Sequence, residues 1–478
     1  MTTETTNLTP IAEETLNQTD INDNPIIVGL DIGTTKIAAI AGRKNQFGKI
    51  EILGFGKAAS HGVKHGMVLN IDQTISAIQE ALENCYKSNP GLSIKEVYVG
   101  IAGQHIKSLQ TRGDIVRTNT EEEISFKEVA RLINEQQQTY IPAGDQIIDV
   151  IPQDYTVDNF QNIPNPIGMS GIKVGANFHI ITGDRNAIRN INRSVEKSGL
   201  TIKDLMLQPL ASASAVMCEH DLEAGVAIVD IGGGTTDLAV FYEGILRATA
   251  VIPFGGENIT NDIKMGLGVL RTQAEQMKIQ FGSALAEETK SNTFITIPGI
   301  KGLAAKEISV KNLANIIQAR MTEIMDFVTY HLKQVGLDNK MLNGGVILTG
   351  GGSQLRHLIQ LTEYVTGLNA RIGYPNEHLA SGHVDELANP MYSTCIGLIL
   401  KGQNIYENSP NRLVPQKDDI VIIEDVVTPP VLVDVETTPS VDTPVVVGGR
   451  VRSLKEFIQN IKTGIIGMFE ETEDKKFQ

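Results

Sequence analysis

The sequence predicts an α/β protein built from two similar lobes, and three observations carry that expectation. First, VGLDIGTTKIAAI, with Asp31, is echoed by AIVDIGGGTTDLAV, with Asp230; each reads as a buried strand, an Asp, a glycine-bearing turn and a returning strand. Second, the stretch VILTGGG reads as a strand that stops in Gly350, Gly351 and Gly352. Third, 478 residues are too many for one ordinary core.

Composition narrows the class. Hydrophobic residues make up 41% of the chain and charged residues 20%, values compatible with packed cores. The 56 acidic residues outnumber the 41 basic ones, for a formal charge of −15, which argues against nucleic acid as a partner and makes any attraction to anionic lipid a local matter. Cys85, Cys218 and Cys395 are far apart, with no CxxC spacing, so neither a disulfide framework nor a zinc site is expected and a reducing cytoplasm fits. Residues 1–24 lack the basic-then-apolar pattern of a signal peptide, and no apolar run reaches the roughly 18 residues of a membrane span.

The elements follow in order. Residues 1–24, rich in Thr, Asn, Asp and Glu, read as a solvated, disordered tail. Residues 26–92 open the first lobe with strands from Ile26 to Gly42 and Ile50 to Lys57, then a helix marked by Ile71, Ile75, Ile78, Leu82 and Cys85. Residues 93–182 read as a small α/β insertion, with VYVGIAG, QIIDVIPQDYTV and KVGANFHIIT as strands around the helix FKEVARLINEQQQ. Residues 183–206 resume the first lobe, 207–255 begin the second, and 256–338 form a largely helical subdomain carrying Leu313, Ile316, Ile317, Ile324, Phe327, Val328, Leu332 and Val335. Residues 339–372 complete the second lobe and 373–402 return to the first. Between 403 and 449, six prolines and eight acidic residues stand beside only Arg412 and Lys417, the composition of a linker.

Beyond the linker, residues 450–469 carry Leu454, Phe457, Ile458, Ile461, Ile465, Met468 and Phe469 at steps of three and four. That spacing predicts an amphipathic helix with one apolar face. Arg450, Arg452, Lys455 and Lys462 lie toward its start or polar flank, so it is suited to lie in an anionic membrane surface. Residues 470–478 are read as a short terminal tail.

The repeated turns suggest a phosphate clamp. Backbone around Gly33 and Gly232–Gly234 can approach phosphate oxygens, while Thr34, Thr35, Lys36, Thr235 and Thr236 add donors. Asp31 and Asp230, at the strand ends, can hold a hydrated magnesium ion. One such turn alone is an ordinary hairpin signal; two facing turns would grip a triphosphate. The LTGGGSQL segment, with Gly350–Gly352 and Gln354, lets backbone pass a nucleoside at a strand's carboxyl end. Glu275 and Lys278, three apart on a predicted helix, can present polar groups together to a ribose or base edge.

As a set, these residues resemble the actin, Hsp70 and sugar-kinase superfamily: DIGTTK its first phosphate loop, VDIGGGTTD its second, LTGGG its adenosine motif, and GGENIT, with Gly256 and Glu257, an Hsp70-like nucleoside contact. The resemblance spans about Ile26 to Lys401 and implies a two-lobed actin-like (ribonuclease H-like) ATPase fold binding ATP and Mg2+. Within it, VYVGIAGQHI, VIPQDYTVD, NPIGMSG, PLASASAV and MYSTCIGLIL are similar to the FtsA family of bacterial division proteins, as is an insertion placed after the first helix. That resemblance implies a 1C subdomain at 93–182, subdomains 1A, 2A and 2B in the remaining segments, and self-association into filaments at the cytoplasmic face of the cell membrane at the division site. It further implies a 2B subdomain that receives the C-terminal peptide of the tubulin-like FtsZ, and later division proteins recruited through 1C.

Where many relatives carry a carboxylate in an EPIASA-like motif, this chain reads Gln208-Pro209-Leu210-Ala211-Ser212. Glutamine orients an attacking water but cannot take its proton, which implies weak ATPase activity at most. The alternatives within the superfamily are an Hsp70-like chaperone, a sugar kinase and a pilus-assembly adaptor. The first would need a folded substrate domain after the core, the second a catalytic carboxylate, and the third would lack the amphipathic tail.

Overall fold

The computed structural model describes residues 24–407 except 120, 291, 300–303, 337–340 and 381–383. The expected N-terminal tail, most of the linker, the amphipathic helix and the terminal tail therefore lie outside the described residues.

The first lobe is organised by a strand buried along its whole length. In β1 (Ile27–Ile32) all six residues are buried, as an interior strand covered on both faces requires. It pairs antiparallel with β2 (Lys36–Lys44), which pairs antiparallel with β3 (Ile50–Ala59). A small hairpin, β4 (Val63–Lys64) and β5 (Met67–Val68), leads into α1 (Ile71–Ser88). Asn70 caps that helix by accepting from the Gln73 amide at 3.1 Å. Ile78, Leu82 and Cys85 of the expected face are buried, whereas Ile71 and Ile75 are only half-buried. Strand β6 (Glu96–Ile101) then joins β1 in parallel.

The insertion follows as β7 (Lys107–Val116), α2 (Phe126–Gln136), β8 (Asp145–Val157), β9 (Phe160–Ile163) and β10 (Lys173–Asp184). It forms its own sheet, in the order β7-β10-β8-β9, around a separate core that includes Phe178, Leu132 and Ile180. The expected start of this unit at residue 93 is corrected: Glu96–Ile101 pairs with β1 and, on its other side, with β11, so that strand belongs to the first lobe. The chain re-enters the lobe through Asp184, whose side chain accepts from the Asn186 and Ala187 amides and starts α3 (Arg185–Lys197). Strand β11 (Thr201–Leu207) completes the sheet β11-β6-β1-β2-β3.

The second lobe repeats this plan. After α4 (Gln208–Val216) and α5 (Glu219–Ala224) come β12 (Val226–Ile231), β13 (Thr236–Tyr242) and β14 (Ile245–Ile252), three antiparallel neighbours. A subdomain of α6 (Gly256–Leu267), α7 (Arg271–Phe281), the hairpin β15 (Phe294–Ile297) and β16 (Lys306–Ser309), and α8 (Val310–Gln334) is interposed. Then β17 (Gly345–Thr349) pairs in parallel with β12, α9 (Leu358–Thr366) follows, and β18 (Ala370–Ile372) joins β17 in parallel. The two five-stranded sheets therefore have the same order and sense, antiparallel for three strands and parallel for the last two.

After the short α10 (Val384–Leu387), α11 (Ser393–Glu407) returns to the first lobe and packs on β1, β2 and β6. It runs past the expected linker start at 403. Gln403 is buried and donates to the Pro25 carbonyl at 2.9 Å, and Lys44 pairs with Glu407 at 2.7 Å, so the helix is held to its end.

Candidate functional site

The two echoed turns have the same construction. The Gly33 amide donates to the Lys36 carbonyl at 3.1 Å and the Gly232 amide to the Thr235 carbonyl at 2.9 Å, closing two-residue loops at Thr34–Thr35 and Gly233–Gly234. The loops face each other across the lobes. A Cβ on Gly233 would collide with the Thr35 hydroxyl, and one on Gly234 would lie 2.6 Å from the Thr34 hydroxyl. Glycine is thus required here for the approach of one turn to the other, a use distinct from the phosphate contact expected of it. His65 and Gly66, at the tip of the β4–β5 hairpin, tie the pair together: the His65 ring bonds the Gly234 carbonyl at 3.0 Å, and the Gly66 amide donates to Thr34 Oγ1 at 3.2 Å.

A cleft of about 1480 Å³ opens at these turns, larger than the ~300–1,000 Å³ usual for small-ligand pockets. Its walls bring together Asp31, Gly33, Thr34, Thr35 and Lys36 from the first lobe with Asp230, Gly232, Gly233, Gly234 and Thr235 from the second. Gln208, Gly256, Glu257, Glu275, Lys278, Gly350, Gly351, Gly352 and Gln354 also line it. Thr236 does not: it is fully buried, and its hydroxyl donates to the Phe254 carbonyl at 2.9 Å, so its expected phosphate contact is withdrawn. Strand alternation turns it to the opposite face from its neighbours.

The floor is strongly acidic. Burial opposes the charge on Lys36, but its pairing with Asp31 at 3.3 Å, together with the neighbouring Cys395 and Tyr392, holds the ammonium above its ordinary range. Gln208, the first residue of α4, donates to Asp31 Oδ1 at 2.9 Å, so its amide nitrogen is committed to the floor. Ser212 one turn later donates to Asp230 Oδ2 at 2.6 Å, and Thr394 of α11 supports the same oxygen at 3.4 Å. A third carboxylate, Asp237, also lines the cleft and had no place in the expected site. Its hairpin register sets it directly opposite Asp230, whereas Asp31 in the first lobe faces Ala38. Asp237 receives the Thr235 hydroxyl at 3.1 Å on one oxygen, while Oδ1 is buried without a partner.

Burial pushes Asp230 up to about 6 against the hydrogen bond from Ser212, and burial together with the charge of Asp230 pushes Asp237 up to about 8. An unfolded Asp loses its proton near ~3.9. The folded state therefore binds more protons between about pH 4 and 8, and its stability falls as pH rises through that window. His179, pushed down to about 4 by burial, has the opposite sign below its ordinary value near 6.5. The fall is consequently read between pH 6.5 and 8: the melting temperature of the nucleotide-free, magnesium-free protein should drop across that interval, and Asp237→Asn should flatten the drop. A wild-type profile as flat as that of the variant would contradict the assignment.

The upper wall is built on glycine and an ion pair. Gly350 adopts φ +79, and a Cβ there would strike Asp230 Oδ1 and the Ile231 backbone, while one on Gly352 would strike the Ile231 side chain. Gly351 differs: a Cβ would meet nothing within 4 Å and would point into open space. Glu275 and Lys278 pair at 2.8 Å, and Lys278 also donates to the Gly256 carbonyl and to Thr260 Oγ1, both at 2.9 Å. The amides of Gly256 and Glu257, at the start of α6, donate to the carbonyls of Gly232 and Gly233, so this helix end braces the second turn. Arg271, which pairs with Glu257, and Arg356 line the same wall and carry no motif that marks them in the sequence.

Two repeated lobes whose glycine turns meet over one cleft define a protein of the two-lobed actin-like class. Against solved structures, the fold is similar to the PilM-PilN type IV pilus biogenesis complex, with TM-score 0.59 and 16% identity over 79% of this chain and 98% of that one. A family model described as "Cell division protein FtsA" matches residues 227–397, and one described as "SHS2 domain inserted in FTSA" matches 103–182, the latter beginning just after β6. The chain is 37% identical to the cell division protein FtsA of Pseudomonas aeruginosa, over 80% of this chain and 90% of that protein. It is 38% identical to that of Neisseria meningitidis, over 80% and 91%. The chain belongs to the FtsA family of cell division proteins.

Proposed function

We propose that this chain binds ATP with magnesium between its lobes, polymerises on the cytoplasmic face of the cell membrane at the division site, and anchors FtsZ filaments there. The observation that carries the reading is the facing pair of turns with three Asp side chains, Asp31, Asp230 and Asp237, clustered beside Lys36 beneath it. Among the described residues no group of three or more His, Cys, Asp and Glu side chains could hold a metal directly. The orphaned Asp237 Oδ1 and the acidic floor nevertheless fit a hydrated divalent cation, held through water by these three carboxylates. Magnesium there would offset the charge that phosphate oxygens share with the floor. Lys36 and the Thr34 and Thr35 hydroxyls supply the donors for the phosphates, and Gly351 leaves room for the nucleoside.

Gln208 supports slow or negligible hydrolysis. Its nitrogen is bound to Asp31, which leaves its carbonyl oxygen to orient a water but gives that water no base. The nucleotide then serves chiefly as a bound element of the folded lobes, stabilising them by mass action.

FtsZ docking is assigned to the helical subdomain at residues 256–338 through its C-terminal peptide, and later division proteins to the insertion. Both assignments rest on the family. Met265 on α6, Leu270 immediately before α7 and Phe327 on α8 stand at the surface, side chains suited to an amphipathic peptide. Crosslinking with a photoreactive FtsZ-tail peptide should label this subdomain; labels found only within 103–182 would reject the placement.

A further inference from the structure

The insertion is bonded covalently to the first lobe at both ends, yet its inner face is spent on the second. Strand β14 is the edge of the second lobe's sheet, and an open edge of that kind needs cover. Five side chains of the insertion supply it. Ser108 Oγ donates to the Thr249 carbonyl at 3.4 Å, Gln110 Nε2 to the Arg247 carbonyl at 3.3 Å, and Gln153 Nε2 to the Leu246 carbonyl at 2.5 Å. His179 Nε2 bonds Thr249 Oγ1 at 2.9 Å, and Arg247 Nη1 donates to Asp154 Oδ2 at 2.8 Å. Ile148 and Ile151 of β8 pack against the same apolar cluster as Leu246.

Gln153 and His179 are buried, at 8% and 2% exposure. A partial slide of β14 would leave such polar groups buried and unpaired, so the contact holds or parts as a unit and does not creep. Among the described residues the chain crosses between lobes only twice, from β11 through α4 and α5 to β12, and from β18 to α11. Two crossings at the base of a cleft form a hinge; the insertion adds a third, non-covalent link away from it.

We infer that the insertion is a strut between the lobes, fixing their angle and with it the width of the cleft by holding β14 against the first lobe. The test uses spin labels at Glu80→Cys and Thr272→Cys, which line the cleft from α1 and α7, in the full chain with Cys218→Ser; Cys85 and Cys395 are buried. Without nucleotide, electron–electron distances in this parent should form one narrow distribution, and Gln153→Ala with Arg247→Ala should broaden it toward longer distances. Arg247→Lys, which keeps the ion pair, should leave it narrow. Hydrogen exchange over α2 reports whether the insertion itself stays folded; if it does not, the milder Ser108→Ala with Gln110→Ala gives the reading. A folded variant with the parent's distribution overturns the strut. No nucleotide enters the measurement, so its outcome is independent of the ATP assignment.

Discussion

Gly351→Asp should abolish ATP binding while leaving the fold intact. Most glycines of the site cannot test this, because a side chain at Gly233, Gly350 or Gly352 would collide with the protein itself. At Gly351, which lines the cleft, a Cβ would meet no protein atom within 4 Å, so the damage is expected to fall on the ligand. A carboxylate there would occupy nucleoside space without a partner and add charge to an already acidic site, a loss of several kcal/mol, or more than ~100-fold in affinity. Calorimetric titration of Mg-ATP, alongside thermal unfolding to confirm the fold, checks it. A folded variant with unchanged affinity would remove the nucleotide assignment.

The second large effect is expected at the other end of the chain. Phe457→Glu with Ile461→Glu places two charges on the apolar face predicted for residues 450–469 and should release the protein from anionic vesicles without reducing ATP binding. Deleting residues 450–478 should do the same. Basic residues beside that face contribute about 1 kcal/mol each to headgroup attraction. Gly464 and Gly467 weaken a helix by roughly 1 kcal/mol each relative to Ala, so folding is expected to accompany lipid binding. A single such anchor is reversible, and an assembly presenting many gains by effective concentration. Flotation with vesicles is the readout, and full binding by the deletion variant would contradict the role.

The parts legible in the sequence are those where local chemistry repeats. Two Asp-Gly-Thr turns between apolar strands announced two lobes because a hairpin with a two-residue loop is specified by adjacent residues. The helical stripe at Leu313, Ile317, Ile324, Val328 and Leu332 is buried as its spacing requires, although Phe327 and Ile316 at its margin are not fully covered. What long-range pairing decides was hidden. VYVGI reads as a buried strand, but no periodicity says which sheet such a strand joins, and only its pairing beside β1 separates it from the insertion. Strand β7, KSLQTRGDIV, gives no clear strand signal because its first six residues are exposed or half-buried and all but Leu109 are polar. Asp237 is not legible in the sequence because its importance arises from cross-strand register with Asp230, and neither is the inward face of Thr236, because adjacency in a turn does not fix the face a side chain takes.

The central claim, that a nucleotide-loaded chain assembles on lipid, is tested most directly by electron microscopy of the full-length protein on anionic vesicles with Mg-ATP. The account predicts filaments lying on the membrane, absent from vesicles incubated with the Gly351→Asp variant. Isolated monomers on vesicles saturated with Mg-ATP would contradict it.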